Sequence, residues 1–246
     1  MDVIELLRKR KSVRAYSSIP ITPQEKEAIL LSALQAPSAG NMELYTIIDI
    51  TDQNIKDQLS ILCDHQPFIQ KADMVLIFVT DYTKWMDIFK YYHCNHTSLQ
   101  ESDILLGLED TAIAAQNAVI AAESLGIGSC YIGDIIENYE QVRKLLDLPQ
   151  YALPLVMVTF GRPNQGQINR KKPDRFALKD MVYQNTYYHK TIEETKNMFM
   201  EQSGKSEEEL EDYIVRFYQR KMNAPFSKEM VRSVKVMIEE WVKENV

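Results

Sequence analysis

Val3, Ile4, Leu6 and Leu7 recur at helical spacing and predict a first helix over residues 2–10, which ends where cationic side chains begin to crowd. Thr22, Pro23 and Glu25 form a T-x-x-E helix start with proline at the first helical position, and Ile29, Leu30, Ala33 and Leu34 continue that helix with an apolar face. The turn-forming stretch QAPSAGN ends it. Three short apolar runs, each bounded by polar or turn-forming residues, predict strands: YTIIDI at 45–50, MVLIFVT at 74–80 and LPLVMVTFG at 153–161. Between the second and third, GLEDTAIAAQNAVIAAESLGIGS sets small and branched apolar residues on nearly every face, which predicts a helix buried on most sides. GIGSCYIGD reads as a glycine-hinged return into another short strand.

The segment GRPNQGQINRKKPDRF, residues 161–176, is polar, proline-broken and basic, and predicts an extended surface loop. Beyond it, residues 191–202, 206–222 and 227–244 carry helical patterns, with Ser206 and Glu209 forming a second capping start. Val231, Val234, Ile238 and Trp241 make an apolar stripe on the last of these, expected to be buried against the main domain or a partner subunit. No internal repeat is present.

Composition narrows the function. The 246 residues are 45% hydrophobic with a formal net charge of -7, so a sizeable core is expected and a general attraction to nucleic acid or anionic lipid is not. No apolar run approaches the roughly 20 residues that cross a bilayer, and the first residues lack the apolar core of a signal peptide, so no membrane partner and a cytoplasmic location are expected. Cys63, Cys94 and Cys130 are odd in number and unevenly spaced, which suits reduced thiols. His93, Cys94 and His96 in YHCNH have metal-ligating chemistry, but His65, His189 and the other cysteines supply no second ligand pair, and no metal is expected. No cysteine lies in a nucleophile motif, and GIGS follows a helix instead of a strand, the wrong order for a dinucleotide loop.

The local exception to the acidic balance is RKRKSVRAY, with five cationic side chains between Arg8 and Arg14. A solvated charged face, a nucleic-acid patch and a phosphate site are all readings of such a run. Ser12 favours the phosphate reading, because a hydroxyl adds a donor to the forked contacts of arginine.

Four stretches in order carry a resemblance: RKRKSVRAYSSIPIT with LQAPSAGNMELYTIIDITD, then AAQNAVIAAESLGIGSCYIG, then LPLVMVTFGRP with KKPDRF. Together they resemble the flavin-dependent nitroreductase family, in its NADPH-oxidising nitroreductase and flavin-reductase branch, to about Tyr188. The resemblance implies an α+β fold with a central mixed sheet flanked by helices, and an obligate homodimer with FMN at the subunit interface. It divides the chain into a core at 1–190 and a C-terminal helical extension at 191–246.

By the same resemblance, Arg10, Lys11, Ser12 and Arg14 hold the FMN phosphate, ribityl chain and pyrimidine side of the ring. Ser38, from the other subunit, and Gln66 contact the flavin, and Tyr131, Ile132 and Gly133 form the strand whose backbone lies beside the ring. Lys172 and Arg175 match the cations that complete the phosphate grip. Asp134 stands where a second glycine is usual and Glu43 where glutamine is usual. KKPDRF has one residue more than the family pattern, which brings Lys171 into the same choice.

The implied chemistry is hydride transfer from NADPH through FMN to a nitroaromatic, quinone or free flavin, with Arg14 stabilising the reduced ring. Arg216, Arg220 and Lys221 offer charge for the NADPH 2′-phosphate. The alternative from another class is a flavoprotein that binds or transfers FMN, or regulates, with only incidental turnover.

Overall fold

The apolar run at 74–80 becomes the central strand of a sheet covered on both faces. In the computed structural model, which describes residues 2–94 and 98–243, the elements follow in the order α1 (Val3–Lys9), α2 (Pro23–Ala33), β1 (Tyr45–Asp49), α3 (Gln53–Leu62), β2 (Met74–Asp81) and α4 (Thr83–Tyr91). The long helix α5 (Glu101–Ser124), β3 (Gly128–Ile132), α6 (Tyr139–Leu145), β4 (Ala152–Gly161) and α7 (Gln165–Asn169) come next. The helices α8 (Leu178–Met181), α9 (Ile192–Ser203), α10 (Glu207–Met222) and α11 (Pro225–Val242) complete the chain. His96 of the YHCNH stretch and residue 244 of the predicted last helix lie outside the described residues.

The four strands pair in the order β1-β2-β4-β3. Met74, Leu76 and Phe78 of β2 join one core with Ile29 and Ala33 of α2 and the alanines of α5, whereas Val75, Ile77 and Val79 join another with Leu59 of α3 and Val142 of α6. This period-two division explains why β2 reads as an unbroken apolar run: each face has its own cover. The register slips between Phe78 and Val79, opposite Pro154, where a strand proline is tolerated because the ladder is already interrupted.

A mixed sheet was expected, and the pairings among these strands are all antiparallel. The parallel component is the isolated bridge between Ser12 and Ser129. It arises because the basic segment after α1 runs along the free edge of β3.

α5 is long and apolar enough to span a bilayer by composition. Its buried positions, among them Ile104, Gly107, Thr111, Ala114, Ala118 and Ala122, follow helical spacing on one wide face. Within the stretch from Gly107 that was expected to be buried on most sides, Ile113 is exposed, as are Leu105 and Leu106 just before it. The polar segment after β4 is likewise not wholly extended: Asn164 caps the short helix α7 by accepting from the Gln167 amide at 3.0 Å.

Two compact units are present, one formed by Met1–Arg170 together with Glu229–Val246 and the other by Lys171–Lys228. The extension expected at 191–246 is thus divided within α11. In the first unit Trp241 is fully buried, edge-on to Tyr82 at 5.7 Å and Tyr151 at 5.5 Å. The last apolar stripe is accordingly satisfied largely by its own chain, with Val231 left exposed. Within the second unit, Thr191 and Ser206 each form a capping box with the glutamate three residues on.

Candidate active site

The basic run is shaped by where α1 stops. Arg10 leaves helical geometry, Ser12 bridges Ser129, and the Val13 amide donates to the Ser129 carbonyl at 2.9 Å, so residues 10–14 lie along β3. Val13 is buried, and a Cβ at Gly128 would sit 2.4 Å from its Cγ2. Glycine at 128 is what admits this approach. Gly126, with φ +72°, makes the helix-ending turn before it.

The cations of the segment then separate. The Arg10 guanidinium lies 5.6 Å over the Tyr131 ring and reaches the Ser129 hydroxyl at 3.5 Å, while its Nε is buried without a hydrogen-bond partner. Arg14 lies 5.8 Å over Phe68, and its backbone amide donates to Gln167 Oε1 at 3.3 Å. Lys11 donates to the carbonyls of Ile168 and Arg170, and Arg170 donates back to the Ser12 carbonyl. Lys11 therefore anchors α7 to the basic segment. Burial pushes the Cys130 thiol above its ordinary range, against the pull of Arg14, Arg10 and Ser12. Cys63, Cys94 and Cys130 are free thiols.

Tyr131 donates to Gln116 Oε1 at 3.0 Å, and burial pushes its phenol up to about 12 against the opposing charge of Arg10. Ile132 is buried in the core. Gly133 is exposed, and a Cβ there would meet nothing within 4 Å. The backbone beside Gly133 thus faces open space.

Gln66 follows Asp64 and His65, both at positive φ, which turn the chain sharply after α3. Its Nε2 donates to the Cys63 carbonyl at 2.9 Å and to Asp134 Oδ2 at 2.6 Å. Glu137 is 3% exposed; burial first, then Asp134, Asp64 and Glu229, push its carboxyl up to about 8.

Ser38 belongs to another loop, where its hydroxyl accepts from the Glu43 amide at 3.1 Å. Gly40, Asn41 and Glu43 all have positive φ there. Buried Asp110 holds that loop, accepting from the Ala39 amide at 2.9 Å and the Leu44 amide at 3.1 Å. Asp110, Glu137, Gln116 and Phe68, which lie against the candidate residues or their loops, were not singled out from sequence. The readable signal at Asp110 was an acid within a helix otherwise built to be buried.

Lys172, Arg175, Arg216, Arg220 and Lys221 belong to the second unit. There Lys171 pairs with Asp174 at 2.9 Å, and Arg216 pairs with Asp212. Arg220 lies 5.5 Å over Phe217, and Lys221 lies 5.6 Å over Phe226.

In the first unit the structure brings Arg10, Ser12, Arg14 and Tyr131 to one sheet edge, and joins Gln66 to Asp134 beside Gly133. A buried arginine nitrogen without a partner suits an anion, and open space at Gly133 with neighbouring amide and aromatic groups suits a planar ring. These residues fit FMN.

Comparison with known proteins agrees with that fit. Residues 7–162 match the Nitroreductase family. The chain is 30% identical over 236 residues to an FMN reductase (NADPH) of Bacillus subtilis, covering 89% of this chain and 92% of that protein. It is 35% identical over 185 residues to an oxygen-insensitive NADPH nitroreductase of Salmonella typhimurium, covering 75% of this chain and 74% of that one. The structure of NfrA1 nitroreductase from B. subtilis superposes with a TM-score of 0.77 at 28% identity, over 94% of this chain and 98% of that chain. With the match spanning more than half the residues and running from the basic segment through the fourth strand, the chain belongs to the nitroreductase family.

Proposed function

We propose that the protein oxidises NADPH and passes the electrons to nitroaromatics, quinones or free flavins, the two substrates taking turns in one site. The coarser activity follows from membership of the family: the chain is an NAD(P)H-dependent flavin oxidoreductase that uses FMN. Bound FMN supplies the hydride and electron chemistry. The protein's own part is to hold, orient and electrically bias it.

Arg10 carries the reading. Its buried Nε without a partner is matched by a phosphate oxygen, and Ser12 adds a hydroxyl donor on the same segment. Lys11, tied to two carbonyls, contributes by fixing the segment. Arg14 offers a cation to the pyrimidine side of the ring, where it favours the negative charge that reduction adds. Gln66 contributes an amide to the ring edge, and Tyr131, Ile132 and Gly133 a strand end with open backbone beside it. Lys172 and Arg175 are proposed to complete the phosphate grip, Ser38 to act from a partner subunit, and Arg216, Arg220 and Lys221 to meet the NADPH 2′-phosphate. Arg216 must leave Asp212 to do so.

A homodimer is part of the proposal. Val3, Ile4 and Leu7 on α1 and Leu105, Leu106 and Ile113 on α5 are exposed apolar groups that a second copy would cover.

The test is to purify the protein with FMN and add NADPH without oxygen. Rapid bleaching of the flavin, followed by parallel double-reciprocal lines when the acceptor is varied, is the expected result. Converging lines would refute the shared site, and a colourless protein that does not bind FMN would refute the whole reading.

A further inference from the structure

Gln66 gives away one half of its amide. An amide nitrogen has two hydrogens, and both are directed at acceptors, the Cys63 carbonyl at 2.9 Å and Asp134 Oδ2 at 2.6 Å. Turning the amide over would set Oε1 against a carbonyl and a carboxylate, replacing two attractions by two repulsions. Its orientation is therefore dictated by its neighbours' chemistry. The main chain is held as well: the Gln66 amide donates to the Ser60 carbonyl at 2.9 Å, and the Ser60 hydroxyl donates to the Gln66 carbonyl at 2.9 Å.

Asp134 is itself supported. The Glu137 amide donates to the Asp134 carbonyl at 3.0 Å, which closes the turn that carries the Asp134 carboxylate. Asn138 Nδ2 donates to the Leu62 carbonyl at 2.8 Å, tying the segment after β3 to the end of α3. Asp134 and Gln66 thus meet across two segments fixed to each other.

We propose that Asp134 is a positioning residue that locks the Gln66 amide so that its carbonyl oxygen faces the bound ring, selecting a ring with an N–H donor at that edge. The inference rests on the FMN reading above. The isoalloxazine ring has such a donor at N3; a flavin methylated at N3 cannot donate and sets a methyl group against the oxygen. Without the carboxylate, the amide has one fixed partner instead of two and can turn to suit either ring.

The experiment compares FMN with 3-methyl-FMN by quenching of flavin fluorescence on titration with apoprotein. Wild type is expected to bind FMN at least about tenfold more tightly, as for one hydrogen bond to a neutral partner. Gln66→Leu is expected to abolish the preference and Asp134→Gly to reduce it to a few-fold. Asp134→Asn should restore it, since its side-chain carbonyl can accept from Gln66. Equal binding of the two flavins by wild type, or full preference in Asp134→Gly, would overturn the inference while leaving FMN binding established. Failure of wild type to bind either flavin would instead overturn the FMN reading. A measurement free of variant folding is hydrogen exchange of the Gln66 side-chain amide in wild-type apoprotein by 15N NMR. Two slowly exchanging protons are expected, and a rapidly exchanging pair would rule out the lock.

Discussion

Arg10 and Arg14 leave one short segment for different surroundings, so removing them should have different effects. Arg10→Ala deletes the proposed charge-assisted partner of the FMN phosphate and is expected to cost about 1.5–3 kcal/mol, roughly one to two powers of ten in affinity, measurable by fluorescence titration. Activity should return at saturating FMN. Arg14→Ala should remain slow in flavin reduction even when loaded, and lower the flavin's reduction potential in a redox titration, because the cation matters more to the charged reduced ring. An unchanged potential would leave Arg14 an anchor only. Glu137 gives a prediction in the unliganded protein. Its carboxyl titrates near 4.5 when unfolded and near 8 in the fold, where burial and the carboxylates of Asp134, Asp64 and Glu229 oppose its charge. Between those values the fold keeps a proton that the unfolded chain has lost, so this group's contribution to stability falls as pH rises from about 4.5 to about 8. Urea unfolding at several pH values should show a flatter profile for Glu137→Gln. At this scale the sequence revealed the cations well, because charge runs and motif order are local. Asp110, Asp134 and Glu137 were less legible, since their roles depend on which distant backbone or amide groups they meet.

Among the elements, β3 and the basic segment depend on one missing side chain. Gly128→Ala would drive a methyl group into Val13, already buried against it, and is expected to destabilise by about 1–3 kcal/mol and weaken FMN binding by shifting residues 10–14. Val13→Ala in the same chain should recover part of both losses, tested by thermal unfolding and FMN titration. If the double variant is no better than the single, close packing is not the reason for glycine. The strands were readable because apolar runs between turns have few other fates, and the observed β1, β2 and β4 match those runs closely. Their order in the sheet was not, because periodicity identifies a buried face and not its partner. The helix α3 has a readable start in Asp52, which accepts from the amides of Asn54 and Ile55. The exposed side of α5 was hidden because it carries Leu105, Leu106 and Ile113, apolar side chains that periodicity alone cannot tell from core.

For the molecule as a whole, the exposed apolar groups on α1 and α5 predict a light-scattering mass of twice the chain for the FMN-loaded protein. A monomer would show that these faces tolerate water. Replacing Leu105 and Ile113 by aspartate should shift the mass towards the single chain, and FMN affinity should fall with it if Ser38 acts across the interface. The last helix needs a partner less than its apolar stripe suggested, because Trp241 is covered within its own first unit.

That placement of Trp241 imposes an order on synthesis. Leu44, Tyr82, Tyr139 and Leu153 are made early, yet the indole that completes their cluster follows residues 171–228. A nascent chain must therefore wait with an unfilled apolar socket while the second unit is translated, a period in which chaperones would find a ready binding surface. Trp241→Ala, which leaves the socket open permanently, is expected to cost about 3–5 kcal/mol by urea unfolding. It should also lengthen the time that newly made chains spend bound to chaperones in pulse-chase pull-downs.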